Sequence, residues 1–341
     1  YSSETAKIFK IKNSFRNENL NKDLDIIEYQ QSKSNFSDDY FPQIKDSRNI
    51  HLFLRTTMTE INGENFYTKN VKCYSKDDKN FFKLNGKIFV LATGGIENSR
   101  ILLLEKSKNK DLFSKNLPIG NYWFEHPFKV LGQAIVDHEK LKKNLNSSFD
   151  PWVNMFDAGD KSEVYSFAPT FNLITKEKIS NSCCWLVTHE RSNANLKNVA
   201  KNLLCLSPNI SQKLLKKFEK KSLCGATVYS SWEQEPIISN KIVLTDEKDE
   251  FGNNRAMLIY KKSDLVRKTA KVMFEKIGEF LIEKNFGRLI GEEFLFEDNI
   301  KYVSESGWHH MGGTRMGNNE KDSVVDQNLK IHGSKNVYII G

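Results

Sequence analysis

The sequence contains no apolar run of eighteen or more residues, so nothing in it is long enough to cross a membrane as a helix. It also lacks the charged-then-apolar opening of a secretory signal. Cysteine is scarce and badly spaced for pairing: Cys73, Cys183, Cys184, Cys205 and Cys224 are an odd, irregular set with no CxxC, which supports neither a zinc site nor a disulfide framework. A reducing compartment is the simplest expectation and favours the cytoplasm, with the reservation that an export signal would lie in a missing amino terminus. No GxGxxG occurs anywhere, so a complete dinucleotide-binding domain is not expected. Internal repeats, low-complexity blocks and linkers are absent as well.

What is present reads as a globular chain. Hydrophobic residues make up 39% and aromatics 11%, spread along the whole length, which argues against disorder. At 341 residues there is room for two domains or one large one. The net charge of +8 is dispersed among Asn, Ile and Glu, without the clustered basic, aromatic-interleaved patch that nucleic acid requires. The densest basic run, QKLLKKFEKK at 212–221, carries Leu214, Leu215 and Phe218 at helical spacing and reads as an amphipathic surface helix. The opening Tyr-Ser-Ser without an initiator methionine, and the close on NVYIIG, suggest a fragment.

Along the chain, NENLNKDLDIIEYQQ has weakly helical composition, and HLFLRTTMTEI at 51–61 reads as a strand. After a turn-like NGEN comes a hairpin-rich stretch with DDKN and LNGK as turn signals. Residues 87–104, KIFVLATGGIENSRILLL, pass from an apolar strand through Thr93-Gly94-Gly95 into a helix. In such a unit the glycines let the backbone approach a phosphate closely, and the helix N-terminus favours negative charge. Residues 226–262 read as strands joined by Asp/Asn/Gly turns, with DEFGNN the clearest. A helix follows from Ser263, a candidate N-cap, with Leu265, Ala270, Val272, Met273, Ile277, Phe280 and Leu281 on one face. The final stretch, SVVDQNLKIHGSKNVYIIG, again delivers a strand to a glycine.

Near that end stands SESGWHHMGGTRMG, 304–317, with adjacent histidines before a glycine pair. Taken alone it admits a turn histidine without chemistry, a catalytic base, or a metal ligand. The last would need further ligands such as His126, because adjacent histidines in an extended chain cannot easily chelate one ion.

The ordered run strand-TGGIENSR-helix, FEHP, SNKIVL, HHMGGTRMG, VVDQNLKIHGSKNVYIIG resembles the glucose-methanol-choline (GMC) family of FAD-dependent oxidoreductases over residues 50–341. The IENSR that follows the glycine turn, where the family signature has Ser-Pro, is similar to the sugar- and polyol-oxidising branch of pyranose 2-oxidase and fructose dehydrogenase. The resemblance implies an α/β (α+β) fold: a partial Rossmann-type FAD domain from discontinuous segments, plus a substrate domain with an antiparallel sheet and helices. The implied divisions are 1–125 for part of the FAD domain, 126–302 for the substrate domain and 303–341 for the return with the catalytic histidine. The family's amino-terminal FAD fingerprint, and its second catalytic His or Asn beyond the last strand, are not found here, which fits a fragment lacking both ends.

In function, the resemblance implies oxidation of a CH–OH group of an alcohol, sugar or polyol by hydride transfer to flavin N5, by a dehydrogenase rather than an oxidase, with the acceptor unspecified. Counting back from Gly312 and Met316 makes His309 the base, since imidazole can take the hydroxyl proton near neutrality. His310, pointing the other way in an extended chain, is its packing partner in the candidate catalytic pair. The implied cofactor positions are Met58, Thr93, Gly94, Gly95, Asn98 and Gly341, and no metal ligands are implied. His126 is implied to be structural or near the flavin. The rival expectation is a truncated or degenerate homologue that binds a carbohydrate or a partner without turnover.

Overall fold

The structure, a computed structural model, describes residues 18–26, 36–108, 111–137, 140, 164–188, 226–297, 305–306 and 309–341. The expected surface helix at 212–221 lies outside them. The architecture is mixed α/β with mainly antiparallel sheets and few helices, and it divides into two compact units.

One unit comprises 1–30, 126–235 and 262–307. It is built on an eight-stranded sheet of β1 (Glu18–Asn19), β2 (Leu24–Ile26), β7 (Pro127–Val136), β8 (Val164–Pro169), β9 (Ser182–Thr188), β10 (Ala226–Trp232), β13 (Gly287–Gly291) and β14 (Glu305–Ser306). The order is β1-β2-β8-β9-β10-β7-β13, with β14 also on β7, and every pairing is antiparallel. Period-2 alternation sorts the side chains of β9: Cys184 and Leu186 join one core, while Cys183, Trp185 and Val187 face the other way beside Phe128 and Tyr229. The first core is closed by the helix Asp264–Glu283, whose buried Val266, Ala270, Met273, Ile277 and Phe280 recur at three- and four-residue spacing.

Two expectations change here. Residues 18–26 form a tight strand pair instead of a helix. Asn21 Oδ1 accepts from the amides of Asp23 and Leu24, both at 2.8 Å, and this local bonding turns the chain. Leu24 and Ile26 then enter the core at a spacing of two. Ser263 does stand at the N-cap with extended backbone, but its hydroxyl makes no capping bond and is buried without a hydrogen-bond partner among the described residues.

The other unit comprises 31–125, 236–261 and 308–341. It holds α1 (Phe36–Asp46), a meander of β3 (Thr56–Glu64), β4 (Tyr67–Ser75) and β5 (Asn80–Asn85), and the hairpin β11 (Lys241–Lys248)/β12 (Asn254–Ile259). It also holds β6 (Phe89–Leu91), α2 (Gly95–Ser107) and β15 (Val337–Ile339), which runs parallel to β6. The strand expected over 51–61 begins only at Thr56. The turn expected at NGEN slides onward to Asn65-Phe66, both at positive φ, where Phe66 is held by its amide to Asp111 O (2.7 Å) and its carbonyl to Lys335 N (2.8 Å). Asn62 and Gly63 stay in the strand at a register shift. Ile61, Leu91, Leu102, Leu117, Ile331 and Val337 anchor this unit's own core.

Burial pushes the Cys184 thiol up to about 12, against a partial opposing effect of Ser230 Oγ at 3.1 Å. A thiol that ionises later in the folded than in the unfolded chain stabilises the fold fully below the unfolded value of 9.0, and that contribution is lost as pH rises from there towards 12. Stability should therefore fall above pH 9, and iodoacetamide should leave Cys184 unlabelled in the native protein at pH 8 while labelling it in urea; native labelling would contradict this burial. Ser263→Ala should change the thermal midpoint little or raise it, whereas loss of a working cap costs about 1 kcal/mol. A marked fall would mean that the hydroxyl is bonded after all.

Candidate active site

The site is assembled from sequence-distant glycines within the second unit. Strand β6 leads through Thr93 to Gly94, whose φ of +84° and ψ of 163° suit only glycine. Among the described residues, its two chain neighbours apart, no atom lies within 4 Å of where a Cβ would stand there, which leaves this side of the turn open among them. Gly94 is the N-cap of α2 and has no side chain to cap it, so the positive end of the helix dipole at this turn is not covered by a capping side chain. Glu97 in the first turn is neutralised by Arg100 at 2.9 Å.

Strand β15 brings a second glycine to the same place. Its register on β6 pairs Val337 with Phe89 and Ile339 with Leu91, so the two strands end side by side, and a Cβ on Gly341 would lie 3.8 Å from the Gly94 Cα and N. Asn98 locks this meeting point. Fully buried, its Oδ1 accepts from Thr93 N (3.1 Å) and Thr93 Oγ1 (2.6 Å), and its Nδ2 donates to Ile340 O (3.3 Å). Of the expected cofactor positions, Thr93, Gly94, Gly95, Asn98 and Gly341 thus come together. Met58 lies in β3 beside a small enclosed space shared with Glu97, Arg100 and Ile101.

The histidine segment lies across the first turn of α2. A Cβ on Gly95 would meet the His310 Cβ at 3.0 Å, and one on Gly313 would strike Ser99 Oγ at 2.4 Å. On its other side the segment pairs with 120–124: Phe124 and Met311 exchange both backbone bonds (3.0 and 2.8 Å), Gly313 N donates to Asn121 O (3.0 Å), and Gly120 N donates to Gly313 O (2.7 Å). Gly312 and Gly313, at φ of +75° and +69°, are the only residue type that fits this sandwich, since a Cβ on Gly312 would sit 1.8 Å from Tyr122 O. His310 is half-buried with its ring 5.3 Å from that of Trp123, while His309 is exposed. His126 belongs to the other unit, where its Nδ1 is 2.6 Å from Ser231 Oγ.

Several contributors escaped the sequence reading. Trp123 and Glu125 gain meaning only once 120–124 is paired with 311–313, although their spacing of two is visible in WFE. Arg100 links α2 to the β11/β12 hairpin through Asp249 (3.1 Å) and Asn254 O (2.8 Å), a long-range pairing with no local signature. Among the described residues no cluster of three or more His, Cys, Asp or Glu could hold a metal ion.

An uncapped helix N-terminus between two close-approaching glycines can receive an anionic, phosphate-bearing group, and a neighbouring imidazole can exchange a proton. The cradle depends on Asn98. In Asn98→Ala the amide of Thr93 should exchange with solvent about 10–100-fold faster, the loss of buried bonds worth roughly 1–3 kcal/mol. Unchanged protection of Thr93 would mean that the strand ends are held by something else.

Residues 238–341 match the family model described as GMC oxidoreductase. The chain is 26% identical over 265 residues to the fructose dehydrogenase large subunit of Gluconobacter japonicus, a match that spans 77% of this chain and 43% of that relative. Among solved structures it is similar to an FAD-dependent oxidoreductase from Chaetomium thermophilum, with a TM-score of 0.50 at 10% identity over 89% of this chain and 59% of that one. A variant of the formate oxidase of Aspergillus oryzae RIB40 also matches, with a TM-score of 0.46 at 12% identity over 87% and 56% of the two chains. This chain therefore spans less than two thirds of each of these proteins, and the likeness to the Chaetomium structure speaks for the fold alone. The family match thus covers residues 238–341, and the similarity to the curated relative extends over a longer part of the chain.

Proposed function

We propose that the protein is an FAD-dependent oxidoreductase that converts a CH–OH group of a sugar, polyol or related alcohol to a carbonyl. The observation that carries this reading is the convergence of two glycine-ended parallel strands on an open helix N-terminus, with a histidine segment laid across the same helical turn. Thr93, Gly94, Gly95 and Gly341 would hold the dinucleotide, the glycines by allowing its diphosphate to approach the backbone and the helix by favouring its charge. Asn98 would keep the two strand ends in register beneath it. Met58 belongs to the proposed cofactor set through the family resemblance, not through contact with this cradle.

Bound FAD supplies a two-electron acceptor for the hydride that leaves the alcohol carbon. The chain's own contribution is the base that takes the hydroxyl proton, drawn from His309 and His310. Counting within the motif favours His309. What favours His310 is its half-buried place against Gly95, next to the cradle, where a proton acceptor is shielded from water and fixed in orientation. The base is therefore His310, with His309 as its exposed neighbour. The name of the Gluconobacter relative supports a sugar as substrate and a dehydrogenase as the enzyme type.

The purified protein supplied with FAD should show bands near ~370 and ~450 nm that bleach anaerobically with one of a panel of sugars and polyols. His310→Ala should slow bleaching by about 10²–10⁴-fold, and His309→Ala should slow it far less. The reverse ranking would return the base to His309. A protein that takes up no FAD and bleaches with nothing would sink the enzyme and leave a carbohydrate-binding homologue without turnover.

A further inference from the structure

The backbone exchange between Phe124 and Met311 has a geometric consequence for their neighbours. A residue pair that exchanges both bonds in an antiparallel ladder is flanked by a non-hydrogen-bonded pair, in which the opposed side chains share one face at close Cβ separation. One step outward, that pair is Glu125 and His310, and Trp123, two residues before Glu125, shares their face. The side-chain positions agree: Glu125 Oε2 lies 3.9 Å from His310 Nε2, and the Trp123 ring packs 5.3 Å from the imidazole. The carboxylate is 12% exposed and the imidazole 29%. The encounter is therefore set by the paired backbone, not by two long side chains meeting in solvent.

We propose that Glu125 is the positioning residue of His310: its carboxylate engages the Nε2 side of the ring, and Trp123 walls one flank, so that Nδ1 is presented as the proton acceptor. This rests on the reading of His310 as the base. In the step it serves, the substrate O–H bond breaks and its proton moves to Nδ1. The electron pair left on oxygen becomes the new C=O bond as the carbon's hydrogen leaves as hydride for FAD. The carboxylate stabilises the imidazolium so formed and takes up no proton itself, the role an acidic partner plays beside a histidine base elsewhere in enzyme chemistry. At 3.9 Å the pair stands just beyond hydrogen-bond length, in the range that catalytic contacts often show before substrate binds.

The test is Glu125→Leu in the FAD-supplied protein, read in three ways. The anaerobic bleaching rate should fall about 10–100-fold, the range for losing a group that orients a functional histidine, with the half-saturating sugar concentration unchanged. The imidazole Nε2–H signal of His310 in nitrogen-15 NMR, slowed in exchange by the carboxylate in the parent protein with sugar bound, should disappear, while the signal of exposed His309 stays as it was. The thermal midpoint should hold, which separates positioning from folding; if it falls, Glu125→Gln, which keeps the shape, replaces Leu in the other two measurements. Full bleaching rate in the Glu125 variant, alongside a collapsed rate in His310→Ala, overturns the role of Glu125 and leaves the base in place. A full rate in His310→Ala overturns the base itself, and the proposal with it.

Discussion

Asn98 has no solvent to bond with, and the way it satisfies its amide determines what the cradle can be. Its oxygen binds the last residue before the Gly94 turn and its nitrogen binds the carbonyl just before Gly341, so one side chain closes the ends of two strands that are some 240 residues apart in sequence. A parallel pair cannot be joined by a tight hairpin, and its alignment must come from elsewhere. Here it comes from the ladder, from the buried Leu91, Val337 and Ile339, and from this amide. Were the strand ends to slip, the two glycines would no longer flank the same opening.

The second constraint is steric. Gly312 and Gly313 pass between α2 and the 120–124 segment where a methyl group would overlap backbone or Ser99. That close passage puts His310 against Gly95, and the backbone bonds of Met311 determine which residues His310 faces. Cradle and histidine are thus positioned by a single helical turn, Gly95 to Ser99, contacted from both directions. Shared support of this kind keeps an imidazole at a constant distance from the Gly94 turn without stiff side chains.

Much of this was legible in the sequence because it rests on local chemistry. The passage from IFVLA through TGG to a helix, the DEFGNN hairpin and the helix after Ser263 all have short-range causes, and the structure contains each of them. Misreadings arose where tertiary contacts outweighed local preference. The Asn62-Gly63 pair carries the usual signal for a turn, yet Gly63 is held in the strand beside Tyr67 and Leu112, and the reversal passes to Asn65 and Phe66. Around Asn21 a side-chain turn and two core positions overrode helical composition. Beyond the spacing in WFE, the contacts of Glu125 and Trp123 and the Arg100–Asp249 tie left no legible signal, since each side chain meets a partner more than a hundred residues away.

Whether the helix end between Gly94 and Gly341 receives the diphosphate side of a flavin dinucleotide is tested most directly by comparing flavins with and without the adenosine diphosphate moiety. Titration of the purified protein with FAD and with riboflavin, followed by quenching of flavin fluorescence, separates the contribution of the diphosphate and adenosine from that of the isoalloxazine ring. FAD should bind, riboflavin should fail to displace it, and Gly94→Ala should weaken FAD selectively by straining the turn. Equal affinity for FAD and riboflavin, or full FAD affinity in the Gly94 variant, would contradict that placement.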